Sequence, residues 1–146
     1  MPVKIKWEGP LSLQMARTRA DVVEDYGLYQ VYGRHVVFGA DALLYIGRAT
    51  EQTFAQRLTN HRWLDEEQDV TIRLGRIADD DYKSNAHWRK IVCDCESLSI
   101  YRHSPPYNSQ NIQRCSVVGL HVQNWGARGA LMQEFSSDWA RLPIEE

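Results

Sequence analysis

Two short runs of aromatic and β-branched residues, Tyr26-Gly-Leu-Tyr-Gln-Val-Tyr32 and Leu43-Leu-Tyr-Ile-Gly47, constrain this chain more than any other feature. Such residues suit a pleated, half-buried surface. Turn residues lie between the runs, Gly33-Arg34 and then Gly39-Ala40-Asp41, with Val36-Val37-Phe38 as a short continuation. The pattern predicts an antiparallel hairpin with a long or decorated connection.

Beyond the hairpin the hydrophobic period is mostly helical. Residues 54–63 predict a helix with Phe54, Leu58 and Trp63 on one face and Thr50 or Thr53 as its N-cap. Residues 70–77 predict a strand: Val70, Ile72 and Leu74 alternate, and a bulge at Gly75 accounts for Ile77 falling out of step. Residues 82–101 carry the longest helical pattern, with Trp88, Ile91, Val92, Cys95 and Leu98 facing a sheet, and Ser104-Pro105-Pro106 ends it. Residues 115–122 and roughly 130–135 predict further strands, the second after a turn at 126–129. Residues 1–25 read as a mixed opening stretch with a short helix at 12–17.

The order strand, strand, helix, strand, helix predicts an α+β fold, a small central antiparallel sheet of about three core strands flanked by helices, with a C-terminal β extension. A length of 146 residues suits one domain, with a core at 26–110, an N-terminal extension at 1–25 and a C-terminal extension at 111–146. Apolar residues at 43% and charged residues at 25% exclude a disordered chain. No apolar run reaches the roughly 18 residues of a membrane span, and the first residues lack the apolar stretch of a signal peptide. No membrane partner is expected, and the expected location is the cytoplasm. The three cysteines, Cys93, Cys95 and Cys115, then read as reduced thiols. Cys93 and Cys95 point to nearly opposite faces of their helix, which disfavours a shared metal.

A net charge of −2 lacks the basic footprint of many nucleic-acid binders, although a local Arg/Lys cluster binds phosphate on a chain that is acidic elsewhere. The acidic residues gather in patches, 65–67, 79–81 and 145–146, that read as solvated loops and a tail.

Taken singly, the candidate functional residues are ordinary. Tyr29 and Tyr45 are strand aromatics, Arg57 and His61 share one helix face, Glu96 is a helix carboxylate able to pair with Arg89, and Asn108 is a turn residue. Together, and in this order, they resemble the GIY-YIG nuclease family. Gly27-Leu28-Tyr29 matches the first motif element, with leucine in place of isoleucine, and Tyr45-Ile46-Gly47 matches the second intact, followed by the basic Arg48. Arg57 matches the family's helical arginine and His61 the histidine one turn on. Glu96, in Cys95-Glu96-Ser97-Leu98, matches the glutamate, and Asn108, in Pro105-Pro106-Tyr107-Asn108, the late asparagine. The histidine after the arginine is most similar to the restriction-enzyme branch. The stretch from Gly47 to Arg57 is longer than in many members.

The resemblance implies a metal-dependent endonuclease that hydrolyses phosphodiester bonds in DNA. Its cofactor would be Mg²⁺ (or Mn²⁺), held by Glu96, the only carboxylate of the matched set. Arg57 would hold the scissile phosphate through its planar donor fork. Tyr29 would be the general base, its phenol acidified by a cation such as Arg48 or the metal. Tyr45 would position the water or a phosphate oxygen, Arg48 and His61 would contact substrate, and Asn108 would brace the site from behind. One site per chain implies a homo-oligomer for double-strand cleavage, or nicking of one strand. Specificity would lie outside the core, in residues 1–25, 63–69 and 109–146, where Arg114, Trp125 and Arg128 are candidates to touch DNA. The alternative is a catalytically inactive nucleic-acid-binding or scaffold module on the same fold.

Overall fold

The computed structural model describes residues 2–19, 26–78 and 85–139. The chain runs β1 (Val3–Ser12), α1 (Leu13–Arg17), β2 (Gly27–His35), β3 (Gly39–Ala49) and α2 (Phe54–Asn60). Next come a 3₁₀ turn (Arg62–Glu66), β4 (Thr71–Ile77), α3 (Asn85–His103), β5 (His121–Gly126) and β6 (Glu134–Ser136). The six strands form one mixed sheet in the order β3-β2-β4-β1-β5-β6, antiparallel throughout except for the parallel β1/β5 pair.

The α+β class therefore holds, but six strands replace the expected three or so, and the sheet is not purely antiparallel. The difference arises at the chain's start. Val3, Ile5 and Trp7 are buried and alternate with exposed Lys4 and Lys6, so the opening stretch is a strand. It lies between β4 and β5 and joins the hairpin half of the sheet to the C-terminal strands.

Each face of the sheet has its own apolar core. Val3, Ile5, Trp7, Leu28 and Ile46 pack against Val92, Cys95 and Leu98 of α3 and against Phe135. On the other face Tyr29, Val31, Ile72 and Leu74 pack against Ala16 of α1, Phe54 and Leu58 of α2, and Leu64. Full burial of a side chain such as Phe54 or Leu58 stabilises the fold by about 1.5–3 kcal/mol.

Coverage on both faces explains the phase of β4. The β2/β4 register runs unbroken from Leu28↔Gly75 to Tyr32↔Thr71, so the expected bulge at Gly75 is absent. Ile72 and Leu74 belong to one core, while Ile77 packs on the other. The register shift falls instead in β1, between Glu8 and Leu11. Gly75 has a separate role. A Cβ built there would lie 2.7 Å from the Trp7 indole, so the missing side chain is the space the ring fills.

Boundaries differ elsewhere too. Residues 36–38 form the hairpin turn and do not continue the strand, and Gly39 opens β3. The helix at 54 closes at Asn60 and tightens into the 3₁₀ turn, so Trp63 lies beyond α2. Thr53, not Thr50, caps α2, in a capping box with Gln56. α1 begins one residue after Ser12, its N-cap. α3 extends to His103, and residues 82–84 of its predicted start lie outside the described residues. The strand predicted at 115–122 is strand only at its last two residues, since β5 is His121–Gly126, and the one predicted at 130–135 shortens and shifts to β6 at Glu134–Ser136.

Candidate active site

β3 is an edge strand, and the candidate residues gather around it. Strand alternation sends Tyr45 to the α2 face and Arg48 to the α3 face. Tyr29 lies on β2 directly across from Gly47 and on the same face as Tyr45. The two phenol rings approach to 6.1 Å between centroids, tilted by 36°. Gly47 permits this, because a Cβ there would fall 2.4 Å from Tyr29 Cζ and 2.8 Å from Tyr45 Cε2.

α2 supplies the guanidinium. Thr53 fixes where the helix starts, and burial of Phe54, Ala55 and Leu58 fixes its rotation. Arg57 is thereby turned toward the phenols, where its positive charge favours the ionised form of Tyr29. His61, at the C-cap of α2, has Nε2 2.7 Å from Tyr29 Oη, and its Nδ1 accepts from Trp63 Nε1 at 3.0 Å.

α3 supplies the carboxylate from the other face. Glu96 is 8% exposed, and its Oε1 accepts from Arg48 Nη1 at 2.5 Å. Its partner is Arg48 and not Arg89, which pairs with Glu51 at 3.5 Å. Tyr45, Arg48, Arg57, Glu96 and Asn108 all line one open cleft of about 690 Å³, along with Thr50, Glu51 and Gln52 from the long β3–α2 connection. Arg57 and Glu96 are close enough across it for the guanidinium to favour the charged carboxylate. Tyr29 and His61 lie behind this lining, against Tyr45.

Asn108 braces the outer edge of β3. Its Oδ1 accepts from Ile46 N at 3.0 Å, and its Nδ2 donates to Ile46 O at 2.9 Å. The amide thus pairs with the strand as a neighbouring backbone would, and Tyr107 N adds a bond to Leu44 O at 2.9 Å. The loop after Pro105-Pro106 closes an otherwise open edge.

Electrostatics divide the site. Burial pushes the Tyr29 phenol well above its ordinary value, Tyr45 adds to this, and the opposing pull of Arg57 is smaller. The cation beside Tyr29 is Arg57, not Arg48, and burial outweighs it, so Tyr29 is a neutral phenol in this environment. Tyr45 is also raised, by burial and then by Glu96. His61 is pushed down to about 4 by burial, Arg57 and Arg17, so it is neutral across the physiological range.

Glu96 is raised above 4.5 because burial outweighs both arginines. For Arg48 burial opposes the charge, but the attraction of Glu96 prevails and its pKa rises as well. The asymmetry follows exposure: the Glu96 side chain is 10% exposed and that of Arg48 44%, so loss of solvation falls mainly on the carboxylate.

Among the described residues no three His, Cys, Asp or Glu side chains gather. Cys93 is half-buried, Cys95 is fully buried, and burial pushes the Cys95 thiol up. A hard divalent ion that keeps most of its water still fits the cleft. Glu96 offers one carboxylate, its pair with Arg48 engages Oε1, and the surrounding cleft is open.

Two residues to which the sequence assigns no role at the site also belong to it. Trp63 touches both His61 and Tyr45, and Gly47 sets the spacing of the phenols. The histidine two residues before Trp63 was the available signal for the first. Trp125 is 54% exposed on β5, four strand positions from β3 and so about 19 Å across the sheet. Arg128, also read as a candidate to touch DNA, accepts from buried Gln30 through its carbonyl. Among the described residues no helix is long and apolar enough to cross a membrane. No protein-family model matches the chain, and neither any curated protein nor any solved structure does.

Proposed function

We propose that this chain is a metal-dependent DNA endonuclease of the GIY-YIG type, acting in the cytoplasm. One observation carries the reading: residues from β3, α2 and α3 converge so that a guanidinium, a buried carboxylate and the Tyr45 phenol line one cleft at a sheet edge, with the Tyr29 phenol of β2 packed behind Tyr45. Phosphodiester hydrolysis needs those parts, since charge on the transferring phosphoryl group must be met and a water positioned for attack.

Arg57 grips the scissile phosphate, with a charge that persists at any working pH. Glu96 is the residue that would hold Mg²⁺ (or Mn²⁺), which when bound supplies Lewis-acid stabilisation of the phosphate and the leaving oxygen. Ionised Glu96 is therefore the active form. Arg48 holds Glu96 in place and offers a second cation to the DNA backbone. Tyr45 orients the attacking water from the cleft wall. Tyr29 stays the candidate general base: burial disfavours its phenolate, so its proton must first leave to solvent, and the charge of Arg57 favours the phenolate that then takes the proton of the attacking water. Asn108 holds β3 in position without touching substrate. A complete duplex break would take two copies of the chain.

A catalytically silent nucleic-acid-binding module is the competing reading. The Arg48–Glu96 ion pair favours it, since the carboxylate already has a cationic partner. Supercoiled plasmid incubated with Mg²⁺, with Mn²⁺ and with chelator separates the two. The endonuclease reading expects metal-dependent relaxed or linear product. Intact plasmid in every lane, with DNA binding retained, leaves the silent module.

A further inference from the structure

The hydrogen bonds behind the cleft have a polarity that their chemistry dictates. An indole N–H can only donate, and a neutral imidazole has one donor and one acceptor nitrogen. Trp63 Nε1 is 3.0 Å from His61 Nδ1, so Nδ1 is the acceptor. The ring proton is therefore on Nε2, the atom 2.7 Å from Tyr29 Oη. Tyr29 Oη receives that N–H, and a phenol has only one hydrogen of its own. That hydrogen cannot point at His61, so it is directed away from the imidazole.

We propose that Trp63 is a positioning residue: by donating to His61 Nδ1 it locks the imidazole as an Nε2–H donor to Tyr29, so that the phenol's own hydrogen is directed away from His61. The chain of bonds is one-way, Trp63 to His61 to Tyr29. His61 then supports the Tyr29 oxygen and does not take a proton from it. Protonation of His61 would set a second N–H against the Trp63 N–H. The cations around the ring oppose it too: Arg57 from α2, and Arg17 from α1, whose Nη2 donates to the His61 carbonyl at 3.0 Å. Asp65 neutralises Arg17 at 2.5 Å, while Tyr29 and Tyr45 face the ring from β2 and β3.

The tautomer stands independently of any activity; only its effect on rate rests on the endonuclease reading. Trp63→Phe suits the test, because the ring that packs edge-on against Tyr45 and Tyr107 remains and the N–H is lost. The ¹⁵N-labelled chain is examined by long-range ¹H–¹⁵N imidazole spectra near neutral pH. Wild-type His61 is expected as the Nε2–H form alone, and Trp63→Phe as a mixture of both tautomers. Single-turnover plasmid nicking is then measured for Trp63→Phe in the wild-type and His61→Gln backgrounds. A loss of roughly tenfold in rate with KM unchanged is expected in the first and no further loss in the second, since a residue acting through another has no effect once that other is replaced.

A wild-type His61 protonated on Nδ1 overturns the proposal, and so does an equal loss in both backgrounds. If Trp63→Phe does not fold, the wild-type spectrum decides alone. A wild-type chain that shows the Nε2–H form and nicks no DNA supports the tautomer lock and removes the endonuclease reading.

Discussion

Asn108 offers a direct measure of how firmly the cleft wall is held. Its amide makes two opposed bonds to Ile46, at 3.0 and 2.9 Å, on the open side of an edge strand. A hydrogen bond of this kind contributes about 0.5–1.5 kcal/mol net, and a backbone group left without a partner costs about 1–3 kcal/mol where water cannot replace it. Water reaches part of this edge, so Asn108→Ala should cost about 2–3 kcal/mol. At about 3 °C per kcal/mol for a chain of this size, the melting temperature should fall by about 6–9 °C. Asn108→Asp is the sharper test. One carboxylate oxygen still accepts from Ile46 N, but the other then faces the Ile46 carbonyl, where only a proton restores the bond. The folded state should thus raise the pKa of this carboxyl. A raised folded pKa gives stability that is present at low pH and is lost as pH rises through it. Urea titrations at neutral and acidic pH read this as a midpoint that recovers on acidification for Asn108→Asp but not for Asn108→Ala, with m unchanged. If Asn108→Asp matches wild type at neutral pH, or Asn108→Ala costs under about 0.5 kcal/mol, the strand-mimicking role is wrong.

The same geometry has other consequences. Glu96 has a folded pKa above 4.5, so its burial in the ionised form costs stability as pH rises through that value. Metal-free Glu96→Gln should therefore be as stable as wild type or more so at alkaline pH, because half-exposed Arg48 loses little by it, and denaturant titrations against pH would reveal a steeper decline in the variant if this is wrong. Metal and proton compete for Glu96, so at sub-saturating Mg²⁺ the nicking rate should fall on acidification and recover with more metal; a rate independent of pH and metal concentration contradicts the assignment. Gly47→Ala forces a Cβ to within 2.4 Å of Tyr29 Cζ. It should cost about 1–3 kcal/mol as overpacking and reduce nicking more than DNA binding, checked by melting and gel shift. Tyr29→Phe should lose most of the cleavage rate with binding intact; a near-normal rate moves the base role elsewhere.

The hairpin, α2 and α3 were legible because each is self-announcing. Aromatic and β-branched runs mark β2 and β3, Thr50 or Thr53 before an apolar face marks a helix start, and the stripe from Trp88 to Leu98 ends at two prolines. The opening strand is missed by the sequence reading, although Val3, Ile5 and Trp7 alternate with Lys4, Lys6 and Glu8, and its place in the middle of the sheet depends on long-range pairing with β4 and β5. Gly75 misled because sequence periodicity assumes one buried face, whereas β4 is covered on both. At the site, order along the chain brought Arg57 and Glu96 forward as partners. It did not reveal that Arg48 and Tyr45 leave β3 on opposite faces, that Arg48 takes the carboxylate, or that burial outweighs Arg57 at Tyr29. Those depend on which group loses water, and a sequence does not record that.

The most direct test compares wild type, Glu96→Gln and Arg57→Ala, each shown to be folded by circular dichroism, in single-turnover nicking of supercoiled plasmid with saturating Mg²⁺. The account predicts metal-dependent nicking by the wild-type chain and a loss of at least about a hundredfold in both variants. A variant that nicks at the wild-type rate, or a wild-type chain that leaves the plasmid intact, contradicts it.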